Sequence, residues 1–150
     1  MTTEVEEVVE SFGAASRRVK AGDMDGVELA VGMDFLFANF LNEKSNFRDD
    51  RYGGDTLEER MTFVYEVVDI MRGELGGDRL LGVRLYDDLV DYSLGLEDYK
   101  QVARLLETDG KVDYFNMWQG IVQSPKSGRA HWPAHDYAPG AFAHLPASLK

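Results

Sequence analysis

Asn46-Phe47-Arg48-Asp49-Asp50-Arg51-Tyr52-Gly53-Gly54-Asp55-Thr56-Leu57-Glu58-Glu59-Arg60-Met61 is a polar stretch that runs straight into a helix start. Gly53-Gly54 signals a turn. Thr56-Leu57-Glu58-Glu59 has the capping-box pattern: the threonine hydroxyl can accept from an amide three residues on, and Glu59 can reach back. Leu57, Met61, Val64, Val67 or Val68, and Met71 then recur at three- and four-residue spacing, which predicts a long amphipathic helix. Gly73 and Gly76-Gly77 are expected to stop it. Asn46, Arg48, Asp49 and Tyr52 read as residues that lock the loop rather than as catalysts, because a Gly-Gly turn needs side-chain donors and acceptors to hold it.

Upstream, Val5, Val8, Val9, Phe12, Ala15 and Val19 form one apolar stripe, predicting a helix from about Thr3 to Ala21. Val27 to Val31 is short, β-branched and bounded by Gly26 and Gly32, as a buried strand should be. Phe35 to Leu41 is too apolar for an exposed loop and predicts a short helix or packed loop. Downstream, Leu80 to Leu85 is a second strand, and Asp87 to Gly95 a loop. Leu96, Tyr99, Val102, Ala103 and Leu106 mark a third long helix ended by Asp109-Gly110, and Val112 to Met117 is a third strand. Continuous apolar strands alternating with amphipathic helices mean a parallel sheet covered by helices: an α/β fold. Residues 119–145 break the pattern and read as one long loop, after which Pro146 to Lys150 reads as the first turn of a helix.

The 150 residues suffice for one domain, and 44% apolar with 29% charged residues is an ordinary globular balance. A net charge of −11 argues against nucleic acid, where Lys and Arg on phosphates supply the affinity, and against anionic membrane surfaces. No cysteine is present, so disulfides, thiolate catalysis and cysteine-ligated metals are excluded. That composition and the acidic start Met1 to Glu10 predict a cytoplasmic location. No apolar run approaches the length of a membrane span. His131 and His135 are four apart, but Pro133 between them breaks any helical metal face, so no metal site is expected.

Asp25-Gly26-Val27-Glu28-Leu29, Phe35-Leu36, Asn39-Phe40-Leu41, Asn46 to Gly54, Leu57 to Phe63 and Gly82-Val83-Arg84-Leu85, taken in order, resemble the FMN-dependent Old Yellow Enzyme family. That family includes NADH:flavin oxidoreductases, 2,4-dienoyl-CoA reductases and relatives of trimethylamine dehydrogenase. Glu59 stands where the family has Asn. The likeness covers roughly Val5 to Asn116. It implies an eight-stranded β/α TIM barrel with FMN at the C-terminal ends of its strands, and NADH or NADPH as electron donor. The three strands here resemble the fourth to sixth, so residues 1–150 are expected to be one incomplete barrel segment, an internal fragment. Three strands leave open sheet edges, and self-association through them is an expected partner mode.

Arg84 is a charge inside the apolar run LLGVRLY, and a guanidinium there needs an acceptor. From the residues alone that acceptor is a neighbouring acid, Glu28 or Asp113. The resemblance instead implies a flavin-binding role against N1 and the C2 carbonyl. Ala30, Met33 and Phe35 stand where relatives carry His or Tyr, His or Asn, and Tyr, and with Trp118 they form the expected substrate pocket. Without side-chain donors at those three positions, ene reduction through the usual proton-donating tyrosine is not expected; the substrate is an amine or an enone, the apolar pocket suits a more hydrophobic molecule or an amine that loses hydride to flavin, and loss of activity is the equal alternative. Core packing for Met33 and Phe35 is the alternative. Trp118, Trp132 and Tyr137 either wall the pocket or pack the long loop. The function implied is hydride transfer between FMN and a small organic molecule; the alternative is a non-catalytic fragment acting through association.

Overall fold

The computed structural model describes residues 2–33, 35–120, 124–132, 135 and 137–150. Helix α1 (Thr2–Ala21) leads into strand β1 (Gly26–Ala30) and the short helix α2 (Leu36–Leu41). After the polar loop come α3 (Leu57–Arg60), α4 (Thr62–Leu75), β2 (Leu80–Asp87), α5 (Leu96–Asp109) and β3 (Tyr114–Gln119). Helices α6 (Pro125–His131) and α7 (His144–Ala147) complete the order.

The strands form one parallel sheet in the order β1-β2-β3. Spatial order therefore follows chain order, each strand reached through a helical crossover. Alternation along each strand sorts the side chains between two faces. Leu29 and Val31, with Leu81, Val83 and Leu85, are buried on the face covered by helices. Val5 and Val9 of α1, Val64, Val67, Val68 and Met71 of α4, and Val102 and Leu106 of α5 belong to the same core. The opposite face carries Glu28, Arg84, Asn116 and Trp118, as the register pairs Ala30 with Arg84 and Arg84 with Asn116 require. β1 and β3 each have one edge with no strand against it among the described residues.

Arg72 closes the other end of the sheet. It donates through Nε to the Lys111 carbonyl and through Nη1 to the Gly76 and Arg79 carbonyls, each at 2.9 Å, and pairs with Asp113 at 2.5 Å. The Asp113 carboxylate also accepts from the Leu81 amide at 2.7 Å. Asp113 is thus committed to Arg72 and is not the acid beside Arg84.

Four expectations need correction. Gly73 does not stop the helix; α4 runs on to Leu75 and ends at Gly76, whose φ of 79° is a left-handed value that favours glycine. A Cβ at Gly73 would meet nothing within 4 Å, so this is an open surface position, and burial of Met71 and Leu75 on either side outweighs its poor propensity. The helix from Leu57 is also two: Met61 separates α3 from α4. The segment 119–145 is not one structureless loop, because α6 lies within it. Ser124 caps that helix by accepting from the Ser127 amide at 3.1 Å, and Pro125 takes the first turn, where a missing N–H costs nothing. Likewise the final helix, α7, begins at His144, ahead of the expected start at Pro146.

Candidate functional site

The loop 42–56 is a structural knot. Asn46 donates through Nδ2 to the Phe40 carbonyl at 2.6 Å and the Tyr52 carbonyl at 2.8 Å, and its Oδ1 accepts from the Arg48 amide. Arg48 makes a forked pair with Asp50, which also accepts from the Tyr52 amide at 3.1 Å and from the Thr2 hydroxyl at 3.1 Å. The bonds run to Asp50 rather than to Asp49. Hydrogen bonds to the charged form, that from Arg48 foremost, lower the Asp50 carboxyl to about 2. Tyr52 is fully buried and donates to Glu66 at 2.9 Å. Burial, then the Glu66 partner, pushes its phenol up to about 12. Arg60, nearly buried, donates to the Leu41 carbonyl at 2.7 Å and the Gly54 carbonyl at 2.9 Å. Thr56 and Glu59 form the expected capping box. The knot ties α1, α2 and α4 together and offers no reactive group.

A second cluster of charged and polar side chains lies on the sheet face opposite the main core. Glu28 of β1 pairs through Oε1 with the Arg84 guanidinium of β2. Its other oxygen accepts from Asn116 Nδ2 of β3 at 3.1 Å. The Arg84 guanidinium stands 4.9 Å from the centre of the Trp118 ring. Its side chain is about one-third exposed (32%), while its Nε–H is withdrawn from solvent with no hydrogen-bond partner among the described residues. Nearby, burial pushes the Tyr86 phenol up, with Arg84 pulling the other way. Burial also raises the Tyr114 phenol, and the Glu28 charge adds to it.

Trp118 is buttressed by α6. Its ring stacks with His131 at 5.2 Å between centroids, and its indole N–H donates to the His131 carbonyl at 3.2 Å. His131 is buried and its Nδ1 lies 3.0 Å from the Gly120 carbonyl. The loop after β2 is anchored to the same helix: Ser127 donates to the Asp88 carbonyl at 2.5 Å, and the buried Asp88 carboxylate accepts from Ser93 at 2.6 Å. Among the described residues no group of three His, Cys, Asp or Glu is placed to hold a metal, and no helix is long and apolar enough to cross a membrane.

Of the residues singled out from the sequence, Ala30, Arg84 and Trp118 are brought together, the first two as cross-strand partners and the last two by ring contact. Met33, at φ 61°, packs partly buried against the core just past β1. Phe35 is half-exposed at the N-cap of α2. Trp132 is largely exposed, and Tyr137 packs on Phe142. Asn116 and His131 were not singled out for this face, although Asn116 lies in β3 two residues from Trp118 and shares its side of the strand.

The sequence profile of the NADH:flavin oxidoreductase / NADH oxidase family matches residues 1–134. N,N-dimethylglycine/sarcosine dehydrogenase of Chromohalobacter salexigens is 32% identical over 148 residues, covering 98% of this chain and 21% of that protein. A metal reductase of Desulforamulus reducens is 34% identical over 149 residues, again covering 21% of the relative. A 2-naphthoyl-CoA reductase complexed with 2-naphthoyl-CoA superposes on 99% of the chain with a TM-score of 0.84 at 30% identity, using 22% of that chain. Morphinone reductase in complex with tetrahydroNAD superposes with a TM-score of 0.72 at 25% identity, using 44%. The chain spans about a fifth of the length of the curated relatives it matches. Its open three-stranded sheet is a partial (β/α)8 barrel, and the chain belongs to the NADH:flavin oxidoreductase / NADH oxidase family.

Proposed function

We propose that residues 1–150 are one incomplete segment, the fourth to sixth β/α units, of an FMN-dependent oxidoreductase that moves hydride between FMN and a small organic substrate, with NADH or NADPH as the electron donor. The observation that carries this is Arg84. Its guanidinium sits on the inner sheet face with a buried Nε–H that finds no acceptor among the described residues, and a buried donor without an acceptor is costly. The electron-rich pyrimidine edge of an isoalloxazine ring offers such acceptors, so the residues present fit the group. When bound, FMN supplies a two-electron centre that takes up or gives hydride.

The rest falls to side chains. Arg84 binds and orients the ring edge and favours negative charge there. Trp118 keeps water from one flank of the guanidinium. Ala30, Met33 and Phe35 contribute no proton donor, so an enone, which needs a proton at carbon, is poorly served by them. An amine needs no such acid to give up hydride. The names of two relatives, N,N-dimethylglycine/sarcosine dehydrogenase and a probable N-methylproline demethylase of Rhizobium meliloti, point the same way. The open edges of β1 and β3 would take the flanking strands of the barrel, or a second copy of the chain where those are withheld.

The test is an FMN titration of the barrel protein carrying these residues, read by flavin fluorescence, followed by anaerobic mixing of the oxidised protein with an N-methyl amine and, with NADH or NADPH supplied as reductant, with a cyclic enone. Bound flavin bleached by the amine supports the reading. A barrel that binds no FMN refutes it. Enone turnover without amine oxidation overturns the substrate assignment.

A further inference from the structure

We infer that Glu28 is a positioning residue of the cofactor site: its carboxylate clamps the Arg84 guanidinium to the inner sheet face and offsets part of the positive charge offered to the flavin. This rests on the proposed function, and it goes beyond it by assigning the control of flavin potential to a residue on a different strand.

The geometry is a ladder across all three strands. Glu28 lies opposite Gly82 in the register, and Arg84 is two residues further along the same face of β2. A Cβ at Gly82 would fall 2.2 Å from Cζ of Tyr114, so the missing side chain makes room for the Tyr114 ring beside the Glu28 carboxylate. One carboxylate oxygen then takes Arg84 and the other takes Asn116. A carboxylate bonded through one oxygen to β2 and through the other to β3 cannot swing out to solvent without losing both. Its side chain is 19% exposed, less than that of Arg84, so the pair is only partly screened by water. Arg84 in turn faces Trp118, which α6 holds through His131. The guanidinium is thus fixed on one side by charge and on another by an aromatic ring.

The consequence is electrostatic. Reduction of flavin adds negative charge at the ring edge, which a cation stabilises and a neighbouring carboxylate counters. Glu28 therefore lowers the potential that Arg84 alone would confer, while keeping the cation in place.

The experiment separates the two effects in the FMN-loaded protein. Glu28→Gln keeps an acceptor for Arg84 and, with the Asn116 amide turned over, keeps the second bond, but removes the charge. It should bind FMN normally and favour reduced over oxidised flavin by on the order of tenfold, about 30 mV upward for a two-electron couple. Glu28→Ala should weaken FMN binding by on the order of tenfold, the factor equal to about 1.4 kcal/mol, as the guanidinium loses its tether. In a Trp132→Phe background Glu28→Ala should also shift Trp118 emission without any flavin present, and Glu28→Asp should recover part of the shift. An unchanged potential in Glu28→Gln with FMN bound overturns the charge role. Unchanged Trp118 emission in Glu28→Ala overturns the clamp. No FMN binding by the unsubstituted protein refutes the proposed function and any flavin role of Glu28 with it, while the emission arm still reports on the clamp.

Discussion

Replacing Arg60 with leucine tests whether the loop knot is a main determinant of stability. Arg60 is 6% exposed and has no acid partner among the described residues; its bonds go to the carbonyls of Leu41 and Gly54, at the end of α2 and in the Gly-Gly turn. Leucine fills much of the volume but leaves both carbonyls without that donor. Each buried polar group left unsatisfied costs about 1–3 kcal/mol, so two cost roughly 2–6 kcal/mol. A cation no longer has to be buried, which returns part of this, and we expect a net loss of about 3 kcal/mol. Against a usual total of about 5–15 kcal/mol, that is a large fraction. Equilibrium urea unfolding followed by circular dichroism measures it: with a slope of about 1–3 kcal/mol per molar, the midpoint should fall by roughly 1–3 M. Arg60→Lys, a single-point donor, should reach one carbonyl and lose about half as much. A midpoint for Arg60→Leu within about 0.2 M of the unsubstituted protein would mean that water or relaxation satisfies both carbonyls, and the reasoning would fail.

Gly53→Ala should destabilise by about 1–3 kcal/mol in the same urea assay, since its Cβ would fall 1.9 Å from the Arg48 carbonyl oxygen; no loss would show that the turn can open. Asp50 has a folded pKa of about 2, below its ordinary 3.8, so its stabilisation is present above about pH 4 and is lost as pH falls through 2. Asp50→Asn should therefore flatten the acid limb of a stability–pH curve, and an unchanged limb counts against this. Tyr52 behaves oppositely: with its phenol raised from 10.0 to about 12, its contribution is complete below pH 10 and lost towards 12. Ultraviolet titration of Tyr52→Phe against the unsubstituted protein should remove one late-ionising phenol. Arg84→Leu should abolish FMN retention on gel filtration while leaving far-ultraviolet circular dichroism unchanged; FMN retained by the variant excludes Arg84 as a flavin contact.

The parts legible in the sequence are those written in periodicity. The stripes of α1, α4 and α5 and the runs of β1 and β2 sit close to where spacing places them, because each buries one face against the same core, whereas β3, expected from Val112 to Met117, runs from Tyr114 to Gln119 and is only partly buried. Arg84 was legible as a charge in an apolar run that needs an acid, but the choice between Glu28 and Asp113 was not; the structure gives Glu28 to Arg84 and Asp113 to Arg72. Arg60 was harder. It falls in step with Leu57 and Val64 on the buried face, but its acceptors are backbone carbonyls, which no sequence displays. Helix α6 had a signal that proline density hid: Ser124-Pro125 is a cap followed by a first-turn proline. Met33 shows the limit from the other side. Its place after β1 was readable, but its turn towards the core depends on a φ of 61° that residue type does not announce.

The agreement between chain order and spatial order in the sheet has a consequence for how the polypeptide acquires its shape. β1 meets β2 after one crossover, and β2 meets β3 after the next, with Gly26 opposite Leu80 and Gly82 opposite Tyr114. No pairing waits for a strand that lies beyond an unmade one. As the chain leaves the ribosome, each β/α unit can settle on the finished edge of its predecessor, and the newest strand always presents an open edge to the next. Growth is then additive, like a spiral stair laid tread by tread, and the loop closures needed at each tread stay short.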